Sequence, residues 1–117
     1  MPILGKIKSI YIFWYNIYHT VPKTHRYTLA LKVDNLFVEI IEMCASASFV
    51  QKTDKIVYLR TAIRKLDTLK IMLMVLWETR SIDTKKYELI STPLEEVGKM
   101  LGGWLGQTEK TNQNKIN

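Results

Sequence analysis

Residues 85–107 read KKYELISTPLEEVGKMLGGWLGQ, and whether they form one helix or two decides the architecture. Tyr87, Ile90, Leu94, Val97, Leu101 and Trp104 recur at steps of three and four, a single apolar stripe on a 3.6-residue helix. Pro93 interrupts it, and Thr92-Pro93-Leu94-Glu95 also reads as a capping box that opens a new helix with proline in its first turn. A break resets the apolar phase, whereas this stripe crosses the proline without a slip. One helix kinked at Pro93 is therefore favoured, with the Leu89 carbonyl losing its partner.

The glycines of the same stretch allow two readings. Gly102-Gly103 can end the helix in a left-handed cap. Alternatively, Gly98, Gly102 and Gly106, spaced by four, form a strip where another backbone approaches closely. Because the stripe persists to Trp104, the helix is expected to reach at least Gly102. Gly98 and Gly102 are then expected to meet another helix, and Gly103 to sit near the helix end.

Three further segments share this rhythm. Ile3, Ile7, Ile10, Trp14 and Ile17 mark the first, which stops at Thr20 to Lys23 because Pro22 holds Val21 extended. The second runs from about Tyr27 to Phe49, on Val33, Leu36, Ile40, Met43, Ala47 and Val50. The third, from about Lys55 to Thr79, carries Ile56, Leu59, Ile63, Leu66, Leu73 and Trp77. Asp54 and Asp83 are candidate N-caps of the third and fourth. No segment alternates as a strand does, and the links are short. Long amphipathic helices joined by short links pack antiparallel, so the sequence predicts an all-α, up-down-up-down four-helix bundle over residues 1–105. Residues 106–117 are polar and aperiodic and are expected to be a disordered tail.

A chain of 117 residues makes one domain. The lone Cys44 lies in an apolar stretch, reads as a small core residue, and excludes a disulfide framework. No secretory signal is recognised, and the longest apolar run, Ile71 to Trp77, is far short of a membrane span. A cytosolic protein is expected.

The charge balance is 17 basic against 11 acidic side chains, a formal net charge of +6. The third segment holds its densest part: Lys52, Lys55, Arg60, Arg64, Lys65 and Lys70 against Asp54 and Asp67. Arg60 and Arg64, four apart, share a face. This is either an ordinary solvated face or a phosphate-contacting surface, and Arg60, Arg64, Lys65, Lys55 and Lys70 are its candidate contacts. Lys6, Lys8, Lys85 and Lys86 can extend it. No sequence-reading motif is present, so any contact is to the phosphate backbone. The first segment carries Ile12, Phe13 and Tyr15 beside a full core stripe, which predicts a second buried face for self-assembly or a partner. Gly98, Gly102 and Trp104 are added to that candidate interface.

Catalysis has little to stand on. His19 and His25 have no Cys, Asp or Glu at metal-ligand spacing. Glu39 with Glu42, and Glu95 with Glu96, read as solvated helix faces. No enzyme activity, metal or cofactor is expected.

The ending EVGKMLGGW resembles the C-terminal signature of the accessory variability determinant (Avd) proteins of diversity-generating retroelements. These belong to a wider set of bacterial four-helix bundles that includes proteins encoded in rRNA intervening sequences. The opening MPI, the stretch VPKTHRYTLALKVDNLFVEIIE and KKYELIST are also similar. The resemblance implies a homopentameric barrel of bundles with a positive surface. It further implies a non-enzymatic partner of the element's reverse transcriptase that binds RNA or DNA during mutagenic retrohoming. Arg60, Arg64 and Lys65 come from the charge reading, not from a family motif. The alternative is an interaction bundle of the rRNA intervening-sequence type without a retroelement role, which the presence or absence of a neighbouring reverse-transcriptase gene distinguishes.

Overall fold

The computed structural model describes residues 2–116 and the side chains of residues 2–111. The described residues form helices α1 (Pro2–Tyr18), α2 (Lys23–Arg26), α3 (Leu29–Phe49), α4 (Lys52–Glu78) and α5 (Thr84–Ile116), and no strand. Helix α2 is a single turn in the first link. The four long helices pack as a closed square, α1 on α3, α3 on α4, α4 on α5 and α5 back on α1, in a rod of 54 × 21 × 20 Å.

Contacts along each seam fix the directions. Trp14 meets Asp34 and Tyr18 meets Arg26 between α1 and the α2–α3 segment. Lys55 meets Ala47 and Lys65 meets Glu39 between α4 and α3. Arg60 meets Glu109 and Lys70 meets Glu95 between α4 and α5. Lys6 pairs with Glu96, and Lys86 reaches Thr20 beyond the end of α1. In each of the four packed pairs, positions rise on one helix as they fall on the other, so neighbouring helices are antiparallel around the square.

The predicted stripes supply most of the interior, while Met43, Val50, Ile56, Ile63, Trp77, Tyr87 and Trp104 are only half-buried. Ile3, Ile7, Ile10, Trp14 and Ile17 are buried, as are Val33, Leu36, Ile40 and Ala47. So are Leu59, Leu66 and Leu73, and Ile90, Leu94, Val97 and Leu101. Each large side chain so buried contributes roughly 1.5–3 kcal/mol. Trp14 stacks on Phe37 (6.2 Å, 26°) and Tyr11 meets the same ring edge-on at 5.8 Å. Cys44 is fully buried, and burial alone pushes its thiol up to about 11.

Pro93 does not break α5, which runs continuously through it. Ile90, Leu94 and Val97 stay in phase across the proline, so burial on both sides holds one helix together against the lost hydrogen bond. Two boundaries differ from expectation. Helix α4 opens at Lys52 with Gln51 before it, so Asp54 lies in the first turn, where a carboxylate favours the helix dipole, and is not the cap. Asp83 is a cap, accepting the Lys86 N–H at 2.8 Å on Oδ1.

The tail boundary is also corrected. Helix α5 continues past Gly103 and Gly106 to Ile116, because α4 offers it a surface there: Thr108 is buried and Glu109 pairs with Arg60. Residue 117 of the expected tail lies outside the described residues.

Candidate nucleic-acid interface

The five cations predicted to form one surface point in different directions around α4. At 100° per residue Arg60 and Arg64 project outward together, Lys65 turns toward α3, Lys70 toward α5, and Lys55 toward the bundle end. Four of them are engaged. Arg60 Nη2 donates to Glu109 Oε2 at 3.1 Å, Lys65 Nζ to Glu39 Oε2 at 3.0 Å, and Lys70 lies 3.3 Å from Glu95 Oε1. Lys55 Nζ donates to the Ala47 carbonyl at 2.6 Å, one of the last four carbonyls of α3, which have no partner within the helix, and lies 5.9 Å from the Trp104 ring centroid. Arg64 alone of the five has no partner among the described residues.

What the structure does bring together is a groove between α3 and α4, about 380 Å³, lined by Lys32, Leu36, Glu39, Thr61, Arg64, Lys65 and Thr68. Three cations there face one carboxylate. Thr61 and Thr68 donate their hydroxyl protons to the carbonyls of Val57 and Arg64, so the groove's donors are Lys32, Arg64 and Lys65. The Lys65–Glu39 pair is partly exposed, and such pairs contribute only ~0–1 kcal/mol. A phosphate can therefore replace Glu39 at Lys65 at small cost. Lys32 escaped the sequence reading because it lies on another helix, and only the packing of α3 on α4 sets it beside Arg64.

The six candidate interface residues do not share one face. Ile12 and Tyr15 are 57% and 56% exposed on the outside of α1, whereas Phe13 turns inward and packs against the core. Gly98 does meet another helix closely, but it is α4 of the same bundle: an added Cβ would lie 3.3 Å from Lys70 Nζ and 3.5 Å from Leu66 Cδ2. Gly102, Gly103 and Gly106 have nothing within 4 Å of that position, so the close approach expected at Gly102 is absent within the bundle. Trp104 packs on the core edge and, with Pro2, Ile3, Met100, Gly103 and Gln107, lines an apolar cavity of about 420 Å³.

His25 shares a 2.7 Å hydrogen bond between Nδ1 and the buried Ser81 Oγ, which ties α2 to the α4–α5 turn. His19 stacks edge-on with Tyr15 and Tyr18. Among the described residues no three His, Cys, Asp or Glu side chains cluster to hold a metal, and no helix is long and apolar enough to cross a membrane. The chemistry on offer is reversible ionic contact along a helix–helix groove.

Compared with known proteins, residues 1–108 match a family model described as bAvd-like. A search of curated proteins found no match.

Proposed function

Because this chain belongs to the bAvd-like family, we propose that it is a non-enzymatic accessory protein of a diversity-generating retroelement. In this reading it binds the element's reverse transcriptase and its template RNA or DNA, and supports mutagenic retrohoming as a homopentamer. The family match carries the reading: it takes in α1 through α4 and the part of α5 that packs on α1. The α3–α4 groove, with Lys32, Arg64 and Lys65, supports the nucleic-acid part, since phosphate contact needs cations that are free or cheaply freed. Five copies around an axis repeat that groove and multiply a weak contact.

The test is co-purification with the neighbouring reverse transcriptase, together with light scattering and RNA binding as a function of salt. Pentamer mass, a stable complex and steep loss of binding with salt are the expected results. A monomer that ignores the polymerase overturns the reading.

The ion pairing of α4 favours a second reading. With Arg60, Lys65 and Lys70 each facing a carboxylate, the bundle can serve protein contact alone, as an interaction protein without nucleic acid. Polymerase binding with a flat RNA response to salt would select it.

A further inference from the structure

The α3–α4 groove sets hydrogen-bond acceptors among its cations. Its donors are Lys32, Arg64 and Lys65, and its acceptors are Glu39, Thr61 and Thr68. Each threonine has spent its one hydroxyl proton inside α4. Thr61 Oγ1 donates to the Val57 carbonyl at 2.9 Å, and Thr68 Oγ1 to the Arg64 carbonyl at 3.2 Å. A hydroxyl has one proton and two lone pairs, so both threonines present lone pairs to anything that enters the groove. They are seven positions apart on one side of α4, about 10 Å along its axis, with Arg64 and Lys65 between them.

Glu39 is the third acceptor, and Lys65 Nζ donates to its Oε2 at 3.0 Å. A phosphate that draws Lys65 away leaves this carboxylate without that donor and beside a second anion. Neither threonine has a proton to offer it, and Lys32 and Arg64 are the cations that further phosphates take. The strand must then bring a donor of its own, close to its phosphates and repeated at every nucleotide. A ribose 2′-hydroxyl is such a donor, whereas deoxyribose carries only C–H there. That C–H edge strips water from the acceptors and returns no hydrogen bond, which is the costly case for a polar group. The seven lining residues include no aromatic ring, so bases gain no stacking in the groove and the sugar–phosphate edge is what it contacts.

We propose that this groove selects RNA over DNA, with Lys32, Arg64 and Lys65 holding phosphates and Glu39, Thr61 and Thr68 accepting from ribose 2′-hydroxyls. The inference rests on the nucleic-acid reading of the groove and adds the sugar as the group recognised.

Fluorescence anisotropy on the full chain, at one fixed salt concentration, compares three short single strands of the same base. They are oligouridylate, oligodeoxyuridylate and 2′-fluoro-oligouridylate, which keeps the RNA sugar pucker but has no 2′ donor. Oligouridylate is expected to bind about tenfold more tightly than either of the others. Thr61→Val/Thr68→Val keeps the shape of both side chains and should cut that ratio to about threefold, leaving the deoxy strand within about twofold. Serine at both positions should restore the ratio. Glu39→Ala frees Lys65 in advance and should tighten the deoxy strand more than the ribo strand. A ribo strand that binds no better than the fluoro strand overturns the proposal, as does a ratio unmoved by the valines or equal tightening of both strands by Glu39→Ala. Each of these leaves the groove a phosphate site. Absence of binding by all three strands, even at low salt, instead overturns the nucleic-acid reading and the sugar preference with it.

Discussion

Gly98 and Lys70 face each other so closely that a β-carbon on Gly98 would lie 3.3 Å from the Lys70 ammonium, while three glycines farther along the same helix meet nothing within 4 Å. The same residue type thus has opposite meanings on one helix. At Gly98 the missing side chain leaves room for the α4–α5 seam; at Gly102, Gly103 and Gly106 it only loosens the backbone.

Alanine at each of the three open positions should stabilise the monomer by up to ~1 kcal/mol, since the helix gains propensity and displaces nothing. Gly98→Ala should be close to neutral because the Lys70 side chain can move aside, whereas Gly98→Leu should cost ~1–3 kcal/mol by overpacking against Leu66. Urea denaturation measures both. Size-exclusion chromatography adds a second readout: if the open glycines serve contact between copies, the alanines stabilise the fold and weaken the assembly.

Arg80→Gly should raise stability by about 1 kcal/mol, because glycine enters the left-handed region without a Cβ penalty. A melting temperature unchanged or lowered would mean that the arginine side chain contributes contacts that outweigh its backbone strain.

Tyr11 lies beside Asp34, which also accepts the Trp14 Nε1–H at 3.3 Å. Burial, and then the hydrogen bond to Asp34, push its phenol up to about 12. The folded state thus holds this proton more tightly than the unfolded chain, whose tyrosine titrates near 10. The stabilising contribution is complete below pH 10 and disappears as pH rises to about 12. Tyr11→Phe should flatten the stability loss over that window, measured as urea midpoints at pH 9, 10 and 11. An unchanged alkaline slope would remove the Tyr11–Asp34 contact as its source.

Paired charge reversal at Lys32 and Arg64 should lower RNA affinity by ~10–100-fold at moderate salt and reduce the salt slope by about one per cation. Lys70→Gln should leave affinity within about twofold, because Lys70 faces Glu95 across a different seam. Filter binding at several salt concentrations separates the two. Equal effects from both variants would dissolve the groove into a diffuse charge effect.

The apolar stripes were legible because core burial depends only on each helix's own periodicity. Crossing Pro93 in phase was enough to keep Ile90, Leu94 and Val97 on one buried line. The cations were not legible in the same way. Whether Arg60 meets solvent or Glu109 depends on the azimuth of a second helix and on how far that helix extends. The extent of α5 was itself misread, because polar residues such as Thr108 carry no apolar signal yet can be covered by a neighbour. The place of Phe13 was hidden for a related reason: it looked surplus to the stripe of α1, but the square arrangement gives a helix two flanks as well as a core edge, and Phe13 packs on one of them.

The square also constrains how the chain reaches its native state. Three of its seams join helices adjacent in the sequence, while the fourth, α1 on α5, joins the two ends of the chain. Local hairpins close with little loss of chain entropy, and the terminal seam closes only once both partners are aligned. Truncations at Ile7 in α1 are therefore expected to speed unfolding and leave the refolding rate nearly untouched, while those at Leu66 or Leu69 in α4 slow refolding. Stopped-flow kinetics reads this directly. The first helix is thus the latch of the bundle, setting how long the folded protein lasts once it has formed.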